Sequence, residues 1–386
     1  MSPGKAKEFM PVTPKLITWA RKKAGYSLDE AEHHFKKIAD WENAVSSPTY
    51  PQLEAMSEKF KVPLAVFFFP EQPEIPSVSE TFRTLPETEF NNMPQRIKAL
   101  LYKAKAFQIS LAELNGNKSP TSKLITKDLQ FKTDTSISKM ATKVREYLGI
   151  SLEEQFSWKT SDEALKRWRE AVGNIGVYAF KDAFKQRNYC GFCLYDDEFP
   201  IIYINNTTSK NRQIFTIFHE LAHLIFHTSG IDVLDGEYVT RLPNNAQKIE
   251  IICNRFAGKF LVPDAAFKRE SANMSVDKET ALLLADKFSV SRHVIYRKFL
   301  DADMIGAKEY KSAIHELDRQ ITKKGSGTSG DYYNTTMSYL GRPYIRLAFE
   351  GYYQGRFDKV QLADYLDVKP VNVAGFEERL LRVSQG

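Results

Sequence analysis

The feature that most constrains this chain is the run TIFHELAHLIFH at residues 216–227, where ionisable side chains interrupt an apolar segment. His219, Glu220 and His223 form an HExxH pattern. On an α-helix the two histidines lie one turn, ~6 Å, apart on the same face, so both imidazoles can reach one metal ion. Glu220 points to the side, where it can hold a water beside the metal. The spacing therefore predicts a metal site on a helix.

The surrounding residues favour a buried helix at this position. Ser209 or Asn211 is expected to cap its start, the apolar residues supply core surface, and Gly230 is expected to end it. Two histidines and a glutamate inside so apolar a helix would be costly to bury without partners. This cost argues against the simpler interpretation that His219 and His223 are ordinary core histidines.

A third protein ligand is needed, because two histidines and a water leave a tetrahedral zinc site one short. His227 lies ~12 Å from His219 along a continuous helix, so a supporting or packing role is predicted for it instead. The candidates downstream are all carboxylates: Asp232, Asp235, Glu237 and Glu250. The first three fall in a polar loop, whereas Glu250 interrupts an apolar run on the next predicted helix, where a carboxylate needs a partner such as a metal.

The chain of 386 residues exceeds one ordinary core, so several domains are expected. The fold class predicted is α+β, mostly α. The divisions are a domain of five short helices at 1–70, a linker at 71–90, a helical connector at 91–160, a domain at 161–320, and a tyrosine-rich helical unit at 331–386. In the 161–320 domain, IGVYAF, CGFCLYDD and FPIIYINN predict a small antiparallel sheet before the HExxH helix. GSGTSG at 325–330 is a predicted flexible linker.

The N-terminal helices resemble the Xre-type helix-turn-helix domain through ARKKAGYSLDEA, ADWENAVSSPTYPQLEAMSEKF and VPLAVFFFP. The segment that would enter the major groove, residues 38–44, carries Asp40 and Glu42 and no basic residue. We expect both carboxylates to face the phosphates or base edges, and hence any DNA binding to be weak and non-specific. Docking of a protein is the alternative role.

Composition points to a protein of the cytoplasm. Three cysteines, Cys190, Cys193 and Cys253, are too few for a disulfide framework. The opening residues lack a signal-peptide pattern, and no apolar run reaches the ~18–20 residues that a membrane span requires. A net charge of 54 − 48 = +6 permits nucleic-acid contact without requiring it. No membrane partner is expected, and no oligomeric state is assigned.

Two further motifs accompany HELAH: Glu250-Ile-Ile-Cys-Asn-Arg-Phe-Ala257 and Phe260-Leu-Val-Pro263. Together, over roughly residues 160 to 305, they resemble the ImmA/IrrE family of zinc metallopeptidases. The resemblance implies a Zn²⁺ cofactor, Glu250 as the third ligand after His219 and His223, and Glu220 as the catalytic base. Asn254, which lies in the second motif, is expected to have a supporting or packing role.

The resemblance implies a regulatory endopeptidase that cleaves a repressor or partner regulator in a mobile-element, stress-response or toxin–antitoxin system. The edge of the 189–206 hairpin is expected to align the peptide, and Tyr238 or another tyrosine is a candidate to assist. The alternative is a transcription regulator or protein-binding module with a structural zinc. A structural site would be closed by a fourth protein ligand and would not need Glu220.

Overall fold

The computed structural model describes residues 9–60, 62, 64–71, 92–234, 238–321 and 331–383. The predicted 71–90 linker beyond its first residue, the GSGTSG linker, Asp235 and Glu237 lie outside the described residues. The described residues form two compact units, the first ending at Lys103 and the second beginning at Ala104. Among them, no helix is both long and apolar enough to cross a membrane.

The first unit opens with short helices separated by tight connections. They are α1 (Pro14–Lys23), α2 (Leu28–Glu32), α3 (Ile38–Glu42), α4 (Tyr50–Phe60) and a 3₁₀ helix (Leu64–Phe68). Ser27 begins α2 with a capping box in which its side chain accepts from the backbone of Glu30 and the Glu30 carboxylate accepts from Ser27. Ile17, Trp41 and Leu53 are buried together in the core of this unit.

Glu42 takes part in an internal ion pair of the first unit. Its carboxylate accepts hydrogen bonds from Arg21 Nε at 2.6 Å and from Arg21 Nη2 at 2.9 Å. Both side chains are 8% exposed. The expectation that Glu42 faces phosphates or bases is therefore wrong, because its charge is directed inward and neutralised by Arg21.

The second unit contains the sheet and the remaining helices. Its helices before the sheet are α5 (Gln95–Leu114, which starts in the first unit), α6 (Ile125–Asp128), α7 (Ile137–Leu148), α8 (Leu152–Ser157) and α9 (Ser161–Gly173). The sheet strands are β1 (Tyr178–Asp182), β2 (Tyr189–Leu194), β3 (Ile201–Asn205) and β4 (Ile231–Val233), and α10 (Lys210–Ile225) lies between β3 and β4 in sequence.

The helices that follow the sheet run to the end of the described chain. They are α11 (Tyr238–Arg241), α12 (Asn244–Leu261), α13 (Asp264–Glu270), α14 (Lys278–Phe288), α15 (Arg292–Asp301), α16 (Ala307–Ile321), α17 (Tyr332–Leu340), α18 (Arg342–Tyr353), α19 (Lys359–Tyr365), a 3₁₀ helix (Pro370–Asn372) and α20 (Val373–Val383).

The sheet is mixed, with strand order β1-β3-β2-β4. Strand β2 is antiparallel to both β3 and β4, but β1 pairs with β3 in parallel. The prediction of an antiparallel sheet is wrong for this pair, because β3 inserts between two strands that are consecutive in sequence. Both hairpin strands are interior, so the 189–206 hairpin has no free edge to align a peptide, and the outer strands are β1 and β4.

Helix α10 is the central element of the second unit. It packs on β2, β3 and β4 on one side and on α9 and α12 on the other. Trp168, Phe218 and Phe260 join α9, α10 and α12 in one aromatic cluster, with Phe218 stacked on Phe260 at 4.1 Å between ring centroids. Because core surrounds the helix beyond its first turn, its later polar side chains are buried as well: Gln213, Thr216, His219, Glu220 and His223.

The tyrosine-rich C-terminal unit packs against the outer strand β1 through α17. Arg169 of α9 donates from Nη2 to the carbonyl of Ala179 on β1 at 2.6 Å and from Nη1 to that of Ser338 on α17 at 2.8 Å. Within the unit, the buried Tyr344 donates its hydroxyl to the carbonyl of Tyr365 at 2.8 Å. Tyr344 is therefore a core residue of this region. Helix α17 and Arg169 cover the β1 edge of the sheet.

Candidate metal centre

Helix α10 begins at its predicted cap and ends earlier than predicted. The Ser209 hydroxyl accepts from the backbone N–H of Arg212 at 3.2 Å, which satisfies a donor of the first turn. The helix ends at Ile225, and His227 takes a left-handed conformation with φ of 57°. Gly230 therefore does not end the helix, and the prediction that it does so is wrong.

The structure brings His219, His223 and Glu250 together. The Nε2 atom of His219 lies 3.2 Å from Glu250 Oε1, and the Nε2 atom of His223 lies 3.1 Å from Glu250 Oε2. One ligand atom from each residue lies within 4.8 Å of the others. Two ligand atoms of a tetrahedral zinc site with ~2.0–2.1 Å bonds are about 3.3 Å apart. The spacing therefore suits a shared ion of this size.

Several buried polar atoms at this point have no hydrogen bond of normal geometry with the described residues. They include Nδ1 and Nε2 of His219 and both carboxylate oxygens of Glu220, and both residues are completely buried. Buried polar groups without partners are costly, so such a cluster indicates a missing partner. Two imidazole nitrogens and a carboxylate oxygen form a ligand set that zinc binds. Glu220 is not needed as a ligand and is available for another role beside the ion.

Asn254, one helical turn after Glu250 on α12, holds the carboxylate in place. Its Nδ2 atom donates to Glu250 Oε1 at 3.2 Å and to the Glu250 carbonyl at 3.1 Å. Partners of this kind restrict the orientation of a ligand side chain and support metal affinity.

The electrostatics of the cluster favour a positive charge at its centre. Burial raises the pKa of Glu250, but the neighbouring His219 and His223 more than reverse this and hold it well below its usual range. For His219 burial lowers the pKa, whereas Glu250 and then Asp232 raise it to about 9. A metal cation between these groups would satisfy the same preference.

Glu220 has the opposite environment. Burial raises the pKa of its carboxyl to about 7, and His219 and His223 only partly offset this effect. A carboxyl group with a pKa near neutrality can both accept and release a proton at physiological pH, as a general acid–base group must.

His227 is placed away from the cluster. Its Nε2 atom lies 2.8 Å from the carbonyl of Thr126 on α6, and its ring packs near Tyr195 with centroids 5.0 Å apart. These contacts attach the end of α10 to α6. The supporting or packing role of His227 stays a prediction.

Asp232, a carboxylate that the sequence left open as a ligand, is bonded elsewhere. One oxygen forms an ion pair with Arg212, and the other accepts from the Thr216 hydroxyl at 2.8 Å. Arg212 and Thr216 lie on α10 and Asp232 on β4, so this cluster attaches the outer strand to the helix. No local pattern predicts this pairing, because the partners are 20 and 16 residues from Asp232.

A cavity of about 20 Å³ adjoins His223 and Glu250. That volume is enough for about one water molecule. The turn at residues 228–230 and Ile231 line one part of it, and Tyr238, Leu242, Ala246 and Ile249 line the rest. Tyr238, which the sequence left as one candidate among the tyrosines, is therefore next to the cluster.

The three cysteines are buried and unpaired as disulfides. Burial raises the pKa of Cys190 to about 12 and raises the pKa of Cys193 and Cys253 well above the usual value. Among the described residues, the ligand atoms that converge belong to two imidazoles and a carboxylate and to none of these thiols.

Comparison with known proteins gives limited similarity to solved structures. A Mycobacterium tuberculosis transcriptional regulator is similar at 16% identity and a TM-score of 0.30, covering 42% of this chain and 46% of that one. This chain thus spans less than half the length of that regulator. No curated protein sequence matches. Residues 173–300, which include α10, β4 and α12, match the model of a peptidase family described as the IrrE N-terminal-like domain.

Proposed function

We propose that this chain is a zinc-dependent endopeptidase of the ImmA/IrrE type. The observation that carries the proposal is the convergence of His219, His223 and Glu250 beside a buried Glu220 whose oxygens have no hydrogen bond of normal geometry. The match of residues 173–300 to a peptidase family model supports it independently. His219 and His223 would hold the ion through Nε2, and Glu250 through its carboxylate.

Zinc bound at this site would polarise the substrate carbonyl and make a neighbouring water more acidic. Glu220 then accepts a proton from the attacking water at its carboxylate and delivers it to the leaving amine. Asn254 keeps the Glu250 carboxylate oriented through its hydrogen bond to Oε1.

Strand β4 is the element best placed to align an extended peptide. Within the described chain its inner side pairs with β2 and its outer side with no strand. Ile231 at its start lines the cavity beside His223 and Glu250. A peptide added to this edge would run past the cluster, with backbone hydrogen bonds fixing its register.

The proposed substrate is a regulator protein, such as a repressor of a mobile-element, stress-response or toxin–antitoxin system, cleaved in the cytoplasm. The N-terminal helices, which resemble an Xre-type domain, would dock a protein partner or DNA. The inward-facing Glu42 removes one of the two charges that argued against DNA.

The decisive experiment is Glu220→Gln. Glutamine preserves size and polarity but cannot accept the proton, so zinc content should persist while cleavage falls by about 10²- to 10⁴-fold. Cleavage is measured in cells as new protein N-termini, identified by mass spectrometry, that depend on Glu220. Glu279→Gln is the matched control, because Glu279 is exposed at the start of α14.

A structural zinc predicts a different result. In that case Glu220 has no chemical task, and Glu220→Gln would leave the biological output intact while His219→Ala abolished it. Equal loss in both variants supports the peptidase, and an intact Glu220→Gln phenotype would falsify it.

A further inference from the structure

The turn after α10, residues Thr228, Ser229 and Gly230, encloses the imidazole of His223. The Thr228 hydroxyl donates to the His223 carbonyl at 3.0 Å, and the same oxygen lies 3.3 Å from His223 Nδ1. Because the single hydroxyl proton is used on the carbonyl, the oxygen offers Nδ1 only a lone pair. We therefore assign the proton of this contact to Nδ1, so that Nε2, which lies 3.1 Å from Glu250 Oε2, is the ring nitrogen directed toward the candidate metal site.

Gly230 supports the face of the same ring. A Cβ atom at this position would lie 2.5 Å from Cγ, 2.6 Å from Cδ2 and 2.8 Å from Nδ1 of His223. The φ angle of Gly230 is not positive, so the backbone conformation does not require a glycine at this position. It is required by space, since any side chain would push the imidazole away.

The turn is also fixed to the interior strand β2 and to the residue that follows it. The N–H of Cys193 donates to the Gly230 carbonyl at 3.0 Å, and the N–H of Gly230 donates to Cys193 Sγ at 3.2 Å. The N–H of Tyr195 also donates to the Ser229 hydroxyl at 3.0 Å. The sheet thus holds a rigid support against which the imidazole rests.

We propose that Thr228 and Gly230 are positioning residues that set the tautomer and the ring plane of His223 for metal binding. This inference rests on the proposed function, because it assumes that His223 binds a metal through Nε2. Partners of this type, when removed, typically lower metal affinity by about 10- to 100-fold.

The test uses the full chain and Co²⁺ alone as the probe, with affinity taken from titration of the cobalt absorption bands. Gly230→Ala and Thr228→Val should each weaken Co²⁺ binding by about 10- to 100-fold and alter the band shape. Thr228→Ser, which keeps the hydroxyl, should restore binding. Gly258→Ala is the matched control, because nothing lies within 4 Å of a Cβ on this α12 glycine.

A second readout follows the proton on Nδ1. In the zinc-loaded protein, nitrogen-15 NMR should show His223 with a protonated Nδ1, and its exchange-protected N–H signal should be lost in Thr228→Val and kept in Thr228→Ser. Since valine closely matches threonine in shape, this pair remains informative if Gly230→Ala does not fold.

The outcomes separate the two proposals. Native protein that binds neither Co²⁺ nor zinc overturns the proposed function and this inference with it. Native protein that binds metal, with Thr228→Val and Gly230→Ala equal to Gly258→Ala in affinity, overturns the positioning role alone.

Discussion

Helix α10 carries two buried polar clusters that differ in how their atoms are satisfied. In the first, Asp232 is bonded through both oxygens, to Arg212 and to Thr216. In the second, His219, His223 and Glu250 bring their ligand atoms together, while Nε2 of His219 and both oxygens of Glu220 have no hydrogen bond of normal geometry.

The comparison shows that burial of charge alone does not identify a functional site. In the Arg212–Thr216–Asp232 cluster both carboxylate oxygens are bonded within the chain, although Nε of Arg212 has no hydrogen bond of normal geometry, and these bonds join β4 to α10. The cluster around Glu250 would be completed by a further cation, as the proposed function requires. Both contain a buried carboxylate facing the same helix, and the distinction is that the ligand atoms of His219, His223 and Glu250 lie within 4.8 Å of one another.

The largest effect is expected from removing a proposed ligand. His219→Ala, His223→Ala or Glu250→Ala should reduce bound zinc from about one ion per chain to none, because two ligands cannot hold the ion against dialysis. The loss should exceed the ~10–100-fold cost of losing an outer partner. Metal analysis by mass spectrometry after dialysis measures it. Full zinc retention in Glu250→Ala would contradict the assignment.

Asp232→Asn should affect stability and leave zinc bound. Removing one partner of a buried ion pair costs about 3–5 kcal/mol. We expect the low end, about 3 kcal/mol, because the Arg212 side chain is 24% exposed. Urea unfolding measures the change.

Asp301→Asn provides the control for this measurement. The Arg297–Asp301 pair has side chains 54% and 46% exposed, so its loss should cost less than about 1 kcal/mol. If Asp232→Asn lost zinc while its free energy of unfolding stayed unchanged, the two clusters would not differ as described.

The smallest effect is expected from His227→Ala. The substitution removes the hydrogen bond to the Thr126 carbonyl, which is worth about 0.5–1.5 kcal/mol. Zinc content and cleavage should equal those of the native chain, because Nε2 of His227 is directed to α6. Metal analysis together with urea unfolding tests this, and zinc loss in this variant would place His227 among the ligands.

Local patterns in the sequence were sufficient for the central helix. The four-residue spacing of His219 and His223 requires only helical geometry, and Ser209 is a cap that acts within one turn. Glu250 was distinguishable because it interrupts an apolar run on its own helix. Each of these inferences depends on residues close together in the chain.

Features that depend on distant residues were not predictable. The parallel pairing of β1 with β3 depends on the insertion of one strand between two others, and β4 has only three residues, too few for a periodic signal. Asp232 differs from Glu250 because it is paired with Arg212, which lies 20 residues earlier in the chain. Gly230 resembled a helix terminator, although its actual constraint is the His223 ring, seven residues earlier.

The covering of the β1 edge has a consequence for how the protein is made. Helix α17, which shields that edge together with Arg169, lies about 150 residues after β1 in the chain. During synthesis from the N-terminus, the sheet exists before its cover has emerged from the ribosome. An uncovered strand edge can pair with another chain. We therefore expect a transcript truncated before α17 to yield a less soluble product than the full chain, which separation of soluble and insoluble protein would measure.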